Sequence, residues 1–229
     1  MPRVIPSILV DSPAVFHERL ALCTGHTDVV HIDVCDGSFV PRTSWADPAI
    51  LASWTEPRPR LELHLMVDRP DLVLESWSGV RDVARVIVHA EATTFDSARI
   101  VAACKQLNAE LFIGWRLLTN PAPYAAVIAP MSPAGHLVMG IENIGFSGQR
   151  MHLPELASLM TQVRTAFPQS QRFIVDGGVH ETNTEHLVAL GADELVMASE
   201  IFSAADPVGT LERLNQNMMS LSSGGGVDG

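Results

Sequence analysis

His31 and Asp33 lie two residues apart in the run VVHIDVCDGSFVP, Val29 to Pro41. If that run is a strand, alternation puts both side chains on one face. His64 sits inside LELHLMV, and Asp176 inside FIVDGG. Each of the four stands in the middle or late part of an apolar run. Two imidazole nitrogens and two carboxylate oxygens suit one divalent ion: Zn²⁺, Fe²⁺, Mn²⁺ or Co²⁺. A histidine in an apolar strand can equally be a core residue whose ring is satisfied by hydrogen bonds. Both readings stand on the residues alone.

A second set of candidates is backbone rather than side chain. Gly145-Phe146-Ser147-Gly148, Gly177-Gly178 and Ala198-Ser199 follow or end three apolar runs late in the chain. Loops of this kind offer N–H groups to a phosphate. The same glycines would serve equally well as tight turns.

These residues need a frame. Short β-rich runs occur at Val4–Leu9, Val29–Val34, Leu61–Val67, Arg85–Ala90, Glu110–Leu117, His136–Ile141, Arg172–Asp176 and Glu194–Ala198, starting roughly 22 to 36 residues apart. Most are nearly continuous in apolar residues, as strands buried on both faces are. Helical periodicity appears between them at Pro13–Cys23, Asp96–Leu107, Pro154–Phe167, Glu181–Leu190 and Pro207–Met218. Asp96 suits an N-cap, and Gly191 suits the left-handed turn after a helix. Eight strands alternating with helices in 229 residues predict a single-domain α/β fold, the (β/α)8 TIM barrel. Active-site residues of such barrels sit at the C-terminal strand ends. The barrel is expected over residues 1–219, with a disordered Gly/Ser-rich tail, SLSSGGGVDG, at 220–229.

Composition narrows the function classes. Hydrophobic residues make up 47% and charged residues 18%, enough for a large core. A net charge of −11 without a basic run argues against nucleic-acid binding. No apolar run approaches the length of a membrane span, and MPRVIPSILV lacks signal-peptide features. Three widely spaced cysteines, Cys23, Cys35 and Cys104, fit a reducing, cytoplasmic setting better than a disulfide framework.

Taken together and in order, seven segments resemble the ribulose-phosphate 3-epimerase family from about Pro6 to Pro207. They are Pro6-Ser7-Ile8-Leu9, HIDVCDGSFVP, LELHLMV, VHAEA, GFSGQ, VDGGV and SEIF. The resemblance implies the TIM barrel and one divalent metal ion held by His31, Asp33, His64 and Asp176. It implies a small phosphorylated sugar as substrate, with inversion at carbon 3 converting D-ribulose 5-phosphate to D-xylulose 5-phosphate. It also implies a homo-oligomer. The residue set agrees with that chemistry. A C–H beside a carbonyl is a weak acid, and the enediolate left by its removal needs charge stabilisation. Asp33 and Asp176 then act as acid and base from opposite sides. Ser7 matches the family serine near the reacting centre, and Met66 and Met139 match methionines lining it. Core filling is the other reading of the two methionines.

The chain also departs from the family pattern. Cys35 stands where methionine is usual, which enlarges the pocket or introduces a redox-sensitive thiol. The loop Ile141–Gln149 lacks the usual proline, is one residue longer, and has Ser147 for a glycine; Ala198 replaces another glycine. In Gly114-Trp115-Arg116, alternation puts Arg116 on the face of Phe112, aimed at substrate or Glu142, or else at a surface ion pair. Asp36 is either a partner of a ligand histidine or a turn cap, and His89 either such a partner or core. These departures leave two alternatives to a pentulose phosphate: a hexulose 6-phosphate of the allulose type, or a non-catalytic sugar-phosphate-binding relative.

Overall fold

The computed structural model describes residues 1–146 and 148–223. Eight strands and nine helices follow one another along it. They are β1 Arg3–Ile8, α1 Pro13–Cys23, β2 Val29–Cys35, α2 Pro48–Ala52, β3 Arg60–Met66, α3 Pro70–Ser76, β4 Val83–His89, α4 Ser97–Leu107, β5 Glu110–Trp115, α5 Ala125–Ile128, β6 Gly135–Met139, α6 Leu153–Ala166, β7 Phe173–Asp176, α7 Thr184–Ala189, β8 Glu194–Met197, α8 Ser199–Phe202 and α9 Pro207–Ser223. All strand pairs are parallel, and β1 pairs with β8, so the sheet closes into a barrel. The fold is the (β/α)8 barrel.

Period-two alternation divides each strand between two cores. Leu61, Leu63 and Leu65 of β3 face the helices in the outer core, together with Val30 and Ile32 of β2 and Val86 and Val88 of β4. Met66, Ile87, Phe112, Leu137, Met139, Ile174 and Val196 fill the barrel interior. Ser7, His31, Asp33, Glu62, His64, Arg85, His89 and Asp176 fall on the interior face, whereas His136 faces the outer core among Trp115, Phe167 and Phe173. Register then sets the site. Asp33 pairs with His64 across β2 and β3, Ser7 with His31 across β1 and β2, and Met139 with Asp176 across β6 and β7.

Caps account for helix starts. Ser12 accepts from the Val15 N–H at 3.3 Å and Pro13 opens α1. Asp96 accepts from the Arg99 N–H at 3.1 Å at the start of α4. Gly191 follows α7 with φ +88°. The expected helix Glu181–Leu190 begins instead with a 3-10 turn, Glu181–Asn183. Helices α2, α3, α5 and α8 have four to seven residues, too few to show a period. Helix α9 runs to Ser223, so the first residues of the expected tail are helical. Leu214, Met218 and Leu221 carry its apolar stripe onto the core. Residues 224–229 of that tail lie outside the described residues. All three cysteines are free and buried. No helix among the described residues is long and apolar enough to cross a membrane.

Candidate active site

A cavity of about 200 Å³ opens at the C-terminal end of the barrel. Asp33 and Asp176 face into it, with Ser7, Met66 and Met139 around them. Phe146, Gly145, Gly148, Gly177, Gly178, Ala198 and Ser199 line the remainder. Ser147 lies outside the described residues. His31 and His64 do not line the cavity; both are fully buried beneath the two carboxylates.

One ligand atom from each of His31, Asp33, His64 and Asp176 lies within 4.8 Å of all the others. His64 Nδ1 is 2.9 Å from Asp33 Oδ1 and 3.5 Å from Asp176 Oδ2. His31 Nε2 is 3.3 Å from Asp33 Oδ1 and 4.0 Å from Asp176 Oδ2. Ser7 Oγ donates to the other Asp33 oxygen at 2.6 Å. Buried acceptors and imidazoles concentrated this closely form a donor set suited to a divalent cation.

The electrostatics separate the two aspartates. Burial works against ionising Asp33, but His31 and His64 outweigh it and hold the carboxyl far below its usual range. Asp176 goes the other way. Burial, reinforced by the Asp33 charge, pushes it up to about 6. Burial alone would lower His31, yet Asp33 and Glu62 raise it well above an ordinary histidine.

The glycines do two jobs. Gly177 has φ +89°, and a Cβ there would meet Ile141 Cγ1 at 2.6 Å. A Cβ on Gly178, at φ +72°, would meet the Met151 nitrogen at 2.8 Å. Both are turn glycines under close packing, and both also line the cavity.

The structure distinguishes the alternatives that the sequence left for Arg116, Cys35, Asp36 and His89. Arg116 touches neither Glu142 nor the cavity. Its guanidinium lies 4.5 Å over the Phe39 ring, which the loop after β2 packs against His89. Cys35 packs in the barrel interior rather than against the cavity. Burial pushes its thiol up to about 12, which disfavours the reactive thiolate. Asp36 is a turn cap, accepting from the Ser38 N–H at 2.9 Å. His89 is bound to the site, with its Nε2 2.8 Å from His64 Nε2. His136 illustrates the core alternative: it accepts from Trp115 Nε1 at 3.0 Å between aromatic rings, and burial lowers it to about 3.

Several residues near the site carry only a weak signal in the sequence. Glu62 Oε1 is 2.5 Å from His31 Nδ1. Its position two residues before His64 was a signal, because alternation puts both inward. Glu91 approaches His89 Nδ1 at 3.3 Å, and despite burial is held below the usual carboxylate range by His89, Thr119 and the Arg116 N–H. Arg42 ties the cavity mouth together, donating to the Gly145 carbonyl and to Asp11, each at 3.0 Å. Arg19 also lines the cavity, its guanidinium 4.7 Å over the Phe202 ring.

Residues 3–202 match the model of the ribulose-phosphate 3 epimerase family. The chain belongs to this family. It is 28% identical over 218 residues to the ribulose-phosphate 3-epimerase of Mycobacterium tuberculosis (strain H37Rv), covering 94% of this chain and 92% of the relative. It is 29% identical over 212 residues to that of Bacillus subtilis (strain 168), covering 90% and 94%. A solved 3-hexulose-6-phosphate synthase shares the fold with a TM-score of 0.68 at 16% identity, covering 93% of this chain and 98% of that one. Orotidine 5'-monophosphate decarboxylase from Sulfolobus solfataricus does so with 0.61 at 13%, covering 97% and 100%. As in TIM-barrel enzymes generally, the candidate chemistry sits at the C-terminal ends of several strands.

Proposed function

We propose that the protein epimerises a ketose phosphate at carbon 3, interconverting D-ribulose 5-phosphate and D-xylulose 5-phosphate. Family membership supports the reaction class. One observation carries the residue assignment: two carboxyl groups face a single cavity with their proton affinities driven in opposite directions. Inversion requires this pairing. One group must be ready to accept a proton while the other is ready to give one.

In the forward direction Asp33, ionised, takes the carbon 3 proton from one face. The C–H electron pair delocalises onto the adjacent carbonyl oxygen. Asp176, protonated, delivers its proton to the other face, and the electron pair returns to form the new C–H bond. Asp33 ends protonated and Asp176 ionised, so the pair is poised for the reverse reaction until protons exchange with solvent. Ser7 holds Asp33 Oδ2, which leaves Oδ1 to work beside the histidines. Met66, Met139, Ile141 and Val196 provide apolar walls that limit water near the carbanion. Gly177, Gly178, Ala198 and Ser199 would place their backbone N–H groups around the phosphate, with Gly145, Phe146 and Gly148 lining the cavity beside it.

His31, Asp33, His64 and Asp176 would hold one divalent ion, of the Zn²⁺, Fe²⁺, Mn²⁺ or Co²⁺ type. When bound, such an ion supplies Lewis-acid stabilisation of negative charge beside the carbonyl. The three buried thiols fit a reducing, cytoplasmic setting.

The test is turnover of protein loaded with each ion in turn on D-ribulose 5-phosphate and on D-allulose 6-phosphate. Faster epimerisation of the pentulose is expected. Preference for the hexulose would change the substrate, and failure with every ketose phosphate would overturn the enzymatic reading.

A further inference from the structure

His31 has a carboxylate directly behind it and His64 reaches one through His89, and neither carboxylate lines the cavity. On β3, Glu62 Oε1 lies 2.5 Å from His31 Nδ1. An ionised carboxylate only accepts, so Nδ1 carries the ring proton. His31 Nε2 is then the nitrogen turned toward Asp33 and Asp176 and left to bind a cation in place of a proton. Glu62 is itself held in place. Its other oxygen pairs with Arg85, a buried guanidinium stacked 4.3 Å over Phe112. Arg85 also donates to Glu194 at 3.2 Å, and Glu194 pairs with Arg3 at 2.8 Å. A run of alternating charges thus crosses the barrel and ends on His31.

His64 is turned the other way. Its Nδ1 faces the two aspartates, and its Nε2 faces His89 Nε2 at 2.8 Å. Two ring nitrogens at that separation need one donor and one acceptor. His89 Nδ1 is spent on Glu91 Oε2 at 3.3 Å, where only donation is favourable. His89 Nε2 is therefore the acceptor and His64 Nε2 the donor, so Nδ1 is the His64 nitrogen left to bind a cation in place of a proton. Glu91 is anchored in its turn, accepting from the Arg116 N–H at 2.8 Å and the Thr119 hydroxyl at 2.5 Å. Those two donors come from the segment after β5 whose sequence departs from the family pattern.

We propose that Glu62 and Glu91 are positioning residues that fix these two tautomers and aim His31 Nε2 and His64 Nδ1 at one point. The inference rests on the metal-assisted reading above. His31 Nε2 and His64 Nδ1 are 3.1 Å apart. Without an ion, a proton between them makes this contact a hydrogen bond, and a divalent cation would take that proton's place. Neither ring can turn over without breaking its bond to Glu62 or His89.

The experiment uses the full chain with Glu62→Gln, Glu62→Ala, Glu91→Gln and Glu91→Ala, each checked for folding by near-ultraviolet circular dichroism. Zn²⁺ affinity is measured by competition with a chromophoric chelator, with no sugar phosphate present. Both alanine variants should bind Zn²⁺ about 10- to 100-fold more weakly. The glutamine variants should lose less, because an amide oxygen still accepts. Long-range proton–nitrogen NMR of the Zn²⁺-loaded wild type should show His31 protonated at Nδ1 and His64 at Nε2. A folded Glu91→Ala with wild-type affinity would overturn the inference, as would the opposite tautomers. If Glu62→Ala fails to fold because Arg85 is stranded, the Glu91 pair decides. A wild type that binds no divalent ion overturns both the metal reading and this inference. Metal binding with the expected variant pattern but no turnover overturns the epimerase reading alone.

Discussion

Replacing Asp176 with Asn should make the metal-free protein more stable while destroying its catalysis. The Asp176 carboxyl is raised from 3.8 to about 6 by burial and then by Asp33. The folded state therefore holds this proton more tightly than the unfolded chain does. That contribution is fully present below the unfolded value of 3.8 and is lost as pH rises through 6. Its size follows from about 1.4 kcal/mol per tenfold change in proton affinity, or about 3 kcal/mol between pH 4 and pH 8. The side chain retains 14% exposure, so water screens part of it and about 3 kcal/mol is an upper limit. His31, raised well above 6.5, also loses stability as pH rises past 6.5, but it does so in both proteins. Asp176→Asn mimics the protonated form at every pH. Urea titration of chelator-treated protein at pH 4.5 and pH 8 separates the effect. The variant should gain on the wild type by up to about 3 kcal/mol at the higher pH, or about 6 to 12 °C in Tm. The gap should shrink toward zero at the lower pH. A gap independent of pH, or a variant less stable at pH 8, would refute the assignment of Asp176 as the proton-holding member of the pair.

Other outcomes follow from the same geometry. Asp33→Asn should lower kcat by about 10² to 10⁴ with the fold intact, measured by steady-state epimerisation. Adding Zn²⁺ at about 100 times its Kd to metal-free wild type should stabilise it by about 2.7 kcal/mol in a thermal melt. An unchanged Tm would contradict the donor-set reading. Gly177→Ala must accept a positive φ and a contact with Ile141. It should cost at least about 1–2 kcal/mol by urea unfolding and raise KM for the sugar phosphate.

Much of the frame is legible in the sequence because the strands alternate against two buried faces. His31 with Asp33, and Glu62 with His64, announce an interior polar face by spacing alone. Ser12-Pro13 and Asp96 mark helix starts through local capping, which needs no tertiary information. Partners across the barrel are a different matter. Whether Arg116 meets Glu142, substrate or Phe39 depends on where the β2 loop lies, and no local rule sets that. The pairing of Glu62 with Arg85 and of Glu91 with Thr119 likewise joins separate strands and loops. The extension of α9 through residues Ser220 to Ser223 was masked by serines, while its apolar stripe acts through the core it covers.

The central claim is that Asp33 and Asp176 work on opposite faces of one carbon. The most direct measurement is early-turnover epimerisation of D-ribulose 5-phosphate by metal-loaded protein in deuterated water, with both sugars recovered and examined at carbon 3. Two separate carboxyl groups predict D-xylulose 5-phosphate carrying a solvent deuteron, beside unreacted substrate that still carries protium. Product that keeps the original protium would mean that one group moves the proton between faces, and would contradict the account.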